Sequence, residues 1–343
     1  MTGQLIFLCV AILLFLGLTY VCLKSVRTLG TKAKAADAPS RWNTATKPAA
    51  GGIIFFTAFV TGLFLFNPHF IWGKDFWSIL LAGTIAFGIG LWDDIRRISA
   101  SKKMAGQIAA ALVFVLGSGL SFKLFSPTQV YLFDIIITVI FIVGVMNSIN
   151  MLDNMDAVAS IASLPVFICF SIGNYNWFAL WMMAAIIGFL FFNKHPSKIF
   201  MGDSGSMLLG FVIAYLILGN FPIFESTSIA ELIFVLICTC SIFFADTIIV
   251  VVNRVRHRVS PATGGRDHTS HNLAYLGLTE NKIAIIFLVM ALAQVLMFAM
   301  YKDAGKLELS TFIVALIYLI SYVAFMFLLT FMNLKRGKFQ YKK

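Results

Sequence analysis

Long apolar runs broken by short polar stretches recur from one end of the chain to the other. Crossing roughly 30 Å of hydrocarbon takes a helix of about 20 mostly apolar residues. Runs of that kind are placed at about 4–23, 51–67, 76–92, 105–125, 130–148, 158–173, 177–193, 206–220, 231–252, 283–301 and 310–332. The pattern predicts an all-α, polytopic integral membrane protein of about 11 transmembrane helices (10–11), forming a single domain over residues 1–343. No soluble domain, low-complexity tract or internal repeat interrupts the series. The first run follows "MTGQ", with no basic lead-in and no small-residue cleavage site, so it is expected to be a retained span.

Composition agrees with this pattern. The chain is 60% hydrophobic and 12% charged, too little charge to clothe a soluble domain of this size. Cys9, Cys22, Cys169, Cys238 and Cys240 all fall in or beside the runs and read as small apolar residues, with neither metal-ligand spacing nor a disulfide framework. The net charge of +11 raises nucleic acid as a partner. Its placement answers otherwise. When the loops are assigned to alternate sides, 22 of the 26 lysines and arginines fall on one side. That side is then cytoplasmic by the positive-inside rule, with the N-terminus outside and the C-terminus inside. Membrane topology accounts for the charge first and phosphate binding second; no nucleic acid is required.

The side rich in cations also holds the polar segments, at about 24–50, 93–104, 149–157, 194–205 and 253–282. "LWDDIRRISASKK" places Asp93 and Asp94 at the end of the third run, ahead of Lys102 and Lys103. "NSINMLDNMDAVAS" spaces Asn150, Asp153 and Asp156 along one helix face. "FFNKHPSKIFMGDSGS" carries Asn193, Lys198, Asp203 and two serines. The loop "NRVRHRVSPATGGRDHTSH" carries Arg266, Asp267, His268 and His271, with Asp246 upstream inside the ninth run. Each segment taken singly also reads as a solvated helix end, a cap, a turn or a surface histidine. Asp134, near the outer end of the fifth run, reads as structural. Their coincidence on one face favours chemistry: carboxylates hold a divalent cation by oxygen ligands while lysines neutralise phosphate, which is most of what phosphoryl transfer requires.

In these motifs the chain resembles the polyprenyl-phosphate N-acetylhexosamine-1-phosphate transferases, over about residues 45–275 and in the family's order. "TKPAAGGI" resembles its opening motif, "DDIRRISASKKMAGQ" its Asp-Asp motif and "NSINMLDNMDAVAS" its Asn-x-x-Asp-x-x-Asp motif. "NKHPSKIFMGDSGS" is the most specific match, and "ADTIIVVVNRVRHRVSPATGGRDHTSH" is similar to the Asp…Arg…histidine-loop segment. The resemblance implies that a polyprenyl phosphate attacks the β-phosphorus of a UDP-sugar with Mg²⁺ bound, or Mn²⁺ in its place, and that UMP leaves. It opens cell-envelope glycan assembly in the inner membrane, with the active site facing the cytoplasm. It implies Asp203 and Asp156 as metal ligands, with Asp93, Asp94, Lys103, Asp156 and His268 as catalytic groups. Lys47, Asn150, Asp153, Asn193, Phe200, Arg266 and His271 are implied to bind substrate, Phe200 by stacking on uracil. A homodimer is the implied assembly, although no segment marks its face. Two departures stand out: Asn154 and Ala157 occupy positions where glycine often follows the acids, and "HTSH" replaces a contiguous triple histidine. The second points to GlcNAc or another simple N-acetylhexosamine over MurNAc-pentapeptide. An ion-coupled transporter is the competing class, but such proteins place their acids near the midplane between internal repeats, and a scaffold without a reaction is a further alternative.

Overall fold

A computed structural model of the chain describes residues 2–25, 47–66, 73–123, 132–174, 176–220 and 229–341. Most of the polar stretch expected at about 24–50 lies outside these residues; Lys47 and its neighbours lie inside. Twelve α-helices are present among the described residues. They are α1 (Thr2–Ser25), α2 (Gly51–Phe66), α3 (Lys74–Arg96), α4 (Ala100–Ser118), α5 (Leu132–Leu152) and α6 (Val158–Asn174). Then come α7 (Trp177–Asn193), α8 (Gly202–Asn220), α9 (Ile229–Arg256), α10 (Thr269–Tyr275), α11 (Glu280–Ala304) and α12 (Leu309–Lys335). A helix stands at each of the eleven predicted runs, and α10 is an addition within the 253–282 segment.

Seven helices (α1, α3, α5, α8, α9, α11 and α12) are long and apolar enough to cross a membrane. α2, α6 and α7 are apolar but shorter, and α4 carries Lys102 and Lys103 in its first turn. The chain is an integral membrane protein of all-helical build. In hydrocarbon an apolar face needs no cover, which is why α1 and α12 leave most of their stretch unburied while 83% of the α8 stretch is buried. α8 is the central helix, packed by α2, α3, α5 and α6.

Small residues set how closely those helices approach. A Cβ built on Gly90 of α3 would lie 2.5 Å from the Ser204 backbone, and one on Gly52 of α2 would lie 2.2 Å from the Ser204 hydroxyl. α2 and α3 therefore meet the first turn of α8 backbone to backbone. The segment leading into α2 pairs with the segment leading into α8: Phe200 N–H donates to Pro48 O (2.9 Å), Gly51 N–H to Phe200 O (3.1 Å) and Gly52 N–H to Met201 O (3.1 Å). "KPAAGGI" and "KIFMGDSGS" thus form one structural unit.

Candidate active site

The ends of α3, α5 and α9 and the starts of α4 and α8 converge at one end of the bundle, bringing the predicted polar segments together. Lys103, in the first turn of α4, lies at the centre. Its Nζ donates to Asp93 Oδ2 (3.1 Å) and Asn150 Oδ1 (3.0 Å), and lies 3.6 Å from Asp203 Oδ2. Asn150 completes the set by donating from Nδ2 to Asp203 Oδ1 and to Ser206 Oγ, both at 2.8 Å. Four helices thus place an ammonium among three acceptor oxygens where each is largely removed from water. An isolated charge there would be costly, and the pairing offsets that cost.

Asp94 does something else. Its Oδ1 accepts Asp203 N–H (3.0 Å) and its Oδ2 accepts Ser204 N–H (2.9 Å) and Ser204 Oγ (2.7 Å). A carboxylate from α3 caps the N-terminus of α8, satisfying its orphan N–H groups and complementing the helix dipole. Gly202 has φ +75°, and a Cβ there would lie 2.8 Å from Asp94 Oδ2, so the cap also requires glycine. Asp94 therefore fixes where Asp203 points.

Asp156 and Asp203, the two expected metal ligands, sit in different clusters. Asp156 is buried and accepts Ser197 N–H (3.0 Å) and Ser197 Oγ (2.7 Å), with His195 Nδ1 at 3.3 Å and Lys47 Nζ at 3.7 Å. His195 Nδ1 also lies 3.2 Å from Glu280 Oε2. The donor atoms of Asp156, His195 and Glu280 come within 4.8 Å of one another. Lys47 already supplies a cation to the same Asp156 oxygen, and it extends over the Phe200 ring 5.0 Å from its centroid. A lysine, an aromatic face and an acceptor-only carboxylate thus share one recess. Asn193 links the loops that build it, accepting Ala157 N–H (3.1 Å) and donating to Ile199 O (2.9 Å). Ala157 is held at φ +68°, a left-handed conformation that suits glycine better.

A cavity of about 440 Å³ opens beside the Lys103 cluster. Lys103, Asn150, Asp153, His268 and the 261–265 loop line it. At its wall Gln107 and Asn147 pair reciprocally through their amides, at 3.2 and 2.9 Å. His268 enters through a buried dyad: its Nδ1 lies 2.7 Å from Asp246 Oδ2, while Asp246 Oδ1 accepts Thr269 N–H (2.7 Å) and Thr269 Oγ1 (2.6 Å). Asp246 thus orients His268 and caps α10. Of the expected substrate groups, Lys47, Asn193 and Phe200 belong to the Asp156 cluster, and the two from the histidine loop also lie apart from this cavity's lining. Arg266 is exposed on the far side of the loop, and His271 is buried behind His268 at a ring separation of 5.7 Å. The arginine that lines the cavity is Arg254, which sequence reading passed over. It pairs bidentately with Asp267 (2.9 and 2.7 Å) and donates to Pro261 O (2.8 Å). Only its place six residues before the Ser-Pro break could have singled it out.

Comparison with known proteins bears on the same segments. Residues 76–220 match the model of glycosyl transferase family 4. Over that segment the chain is similar to this family. It is similar to a probable undecaprenyl-phosphate N-acetylglucosaminyl 1-phosphate transferase of Bacillus subtilis, 26% identical over 77% of this chain and 76% of the relative. It is also similar to a decaprenyl-phosphate N-acetylglucosaminephosphotransferase of Mycobacterium tuberculosis (28%, over 78% and 76%). A phospho-N-acetylmuramoyl-pentapeptide-transferase of Carboxydothermus hydrogenoformans is 29% identical, over 73% and 82%. The matched segment runs from α3 to α8 and contains Asp93, Asp94, Lys103, Asn150, Asp153, Asp156 and Asp203.

Proposed function

We propose that this protein transfers a sugar-1-phosphate, in the first instance GlcNAc-1-phosphate, from a UDP-sugar to a polyprenyl phosphate such as undecaprenyl phosphate. The observation that carries the reading is Lys103, held by Asp93, Asn150 and Asp203 and lining a cavity of about 440 Å³, in a membrane protein whose relatives bear polyprenyl-phosphate transferase names. A lipid phosphate and a soluble nucleotide can meet only at a membrane surface, and this cluster lies at the ends of the helices.

In the reaction an oxygen of the lipid phosphate forms a bond to the sugar-linked β-phosphorus. The bond from that phosphorus to the bridging oxygen breaks, and UMP departs with the electron pair. Lys103 neutralises phosphate oxygens and keeps Asp93 in register. The second pKa of a phosphate monoester is about 6, so at neutral pH Asp93 has chiefly to position the lipid phosphate. Asp94 orients the α8 turn that presents Asp203. Asn150 and Asp153 line the diphosphate region, and His268, fixed by Asp246, faces the sugar-phosphate. Lys47, Asp156 and Phe200 form the recess for the uridine base, with Asn193 holding its walls.

The donor set near Lys103 is carboxylate and amide oxygen, which suits a hard cation such as Mg²⁺. Asp203, with Asp93 beside it, would hold that ion, which supplies charge neutralisation at the diphosphate. Asp156, already matched by Lys47, belongs with the base. Direct attack is the economical course, since positioned phosphates need no enzyme-bound intermediate.

The test mixes purified protein with radiolabelled UDP-GlcNAc, undecaprenyl phosphate and Mg²⁺ and counts label extracted with the lipid. Absence of label with every UDP-N-acetylhexosamine, and with UDP-MurNAc-pentapeptide, would refute the proposal. Faster turnover of the pentapeptide donor than of UDP-GlcNAc would reassign the sugar.

A further inference from the structure

The loop between α9 and α10 is a partition. On one face Thr263, Gly264 and Gly265 line the 440 Å³ cavity of the candidate site. On the other face the same three residues line a second cavity of about 400 Å³, closed by Tyr275, Phe339, Gln340 and Tyr341. A wall containing two successive glycines has little stiffness of its own. Something outside it must set its position.

Two supports are visible. The first is Arg254, whose guanidinium holds Asp267 and Pro261 O at the two ends of the wall. The second is the chain beyond α12. Residues 339–341 lie outside any helix, with Phe339 and Tyr341 half-buried and Gln340 exposed between them. Tyr341 stacks on His257, with centroids 4.4 Å apart and planes 24° apart. Phe339 stacks on Tyr275, at 5.6 Å and 14°. The two rings also meet edge to face, at 5.5 Å and 81°. His257 precedes the partition and Tyr275 ends α10 after it, so the aromatic pair grips both flanks of the loop. α12 is anchored to the same region through Asn333, which donates to Asn272 O (3.0 Å) and Asn272 Oδ1 (2.9 Å). Burial and the Asp267 carboxylate push the Tyr341 phenol up, which keeps it neutral beside the Arg254–Asp267 pair.

We propose that Phe339 and Tyr341 are positioning residues of the site: an aromatic strap that clamps the 257–275 segment from behind and thereby fixes the cavity wall at Thr263–Gly265. Neither ring lines the substrate-side cavity, so the strap acts through the loop. Its consequence for turnover rests on the reading of the 440 Å³ cavity as the UDP-sugar site.

The experiment uses the full chain with Cys9 replaced and Thr263→Cys introduced, and compares three forms: the strap intact, Phe339→Ala/Tyr341→Ala, and Phe339→Tyr/Tyr341→Phe. Two readouts are taken, the rate of maleimide labelling at position 263 and the KM and kcat for the UDP-sugar. With both rings removed, labelling should quicken and KM should rise about tenfold while kcat changes about threefold or less. The conservative pair, which keeps both stacks, should restore both. The proposal is overturned if labelling and KM in the alanine form stay within about twofold of the intact form. It is also overturned if the conservative pair fails to rescue, or if lost activity merely tracks a lower unfolding temperature. Failure of the intact enzyme to transfer any sugar would defeat the functional reading alone, because the labelling arm still decides whether the strap holds the loop.

Discussion

Lys103 and Asp203 show how a charged group is kept useful in an apolar protein. Each is paired, so neither bears the full cost of burial, yet the pairing is incomplete: Lys103 Nζ lies 3.6 Å from Asp203 Oδ2, longer than a good hydrogen bond. Replacing Asp203 by Asn keeps the shape and the contact with Asn150 while removing one negative charge. We expect turnover to fall by more than the roughly 100-fold typical of losing a group that only supports a metal ligand, and the dependence on Mg²⁺ concentration to shift upward. Mg²⁺ titration of initial rates checks this, and an unchanged titration would remove Asp203 from the metal site. Ala157 makes a separate prediction. Its left-handed φ of +68° is a conformation that glycine adopts without a Cβ penalty. Ala157→Gly relieves about 1 kcal/mol of strain and loses one buried methyl of similar worth, so its unfolding midpoint should stay close to that of the parent. Ala159→Gly, in the first turn of α6, relieves nothing and should cost about 1 kcal/mol. These side chains were legible in the sequence because carboxylates, amides and lysines beside apolar runs need a reason. Their partners were not: nothing in the spacing of "NMLDNMDA" divides Asp153 from Asp156, yet one lines the cavity and the other turns to Ser197.

The helices were read well where their apolar runs were long and poorly where a start depends on another helix. α8 begins at Gly202, four residues before the expected start, because Asp94 of α3 caps it. α10 was missed because its first N–H is satisfied by Asp246, more than twenty residues upstream. A cap supplied from a distant element leaves no local signature. α4, by contrast, starts at Ala100 under its own Ser99, whose hydroxyl accepts Lys102 N–H (3.4 Å), a signal present in "ISASKK". The α3–α8 contact is therefore structural and also sets the position of Asp203, which the proposed function uses. Gly90→Ala would drive a methyl to within 2.5 Å of the Ser204 backbone. Overpacking of this kind costs about 1–3 kcal/mol, and the displaced turn carries Asp203. We expect lower thermal stability in detergent together with a loss of turnover out of proportion to it. Gly88→Ala, which meets nothing within 4 Å, is the matched control on the same helix. Equal behaviour of the two variants would show that close approach at Gly90 is dispensable.

Taken whole, the molecule has one chemical end. Asp93 closes α3, Lys103 opens α4, Asn150 closes α5, Asp203 opens α8 and Arg254 closes α9, and each touches a neighbour in that group or lines the same cavity. Alternation of helix direction, which the sequence implied through its unequal loops, is what lets ends and starts meet. The cations follow the same division: Lys194, Lys198, Arg256, Arg258 and Lys335 belong to this end, whereas Lys302 and Lys306 sit at the opposite end of α11. The positive-inside rule predicts that the chemical end faces the cytoplasm, where a nucleotide sugar would be supplied. Cysteine labelling decides the orientation. In a background with exposed Cys9 replaced and the four buried cysteines left in place, Ala262→Cys should resist a membrane-impermeant maleimide in intact cells and react once the membrane is opened. Lys306→Cys should react in intact cells. The reverse pattern would turn the site outward, away from any cytoplasmic nucleotide sugar, and the transfer reaction would lose its donor.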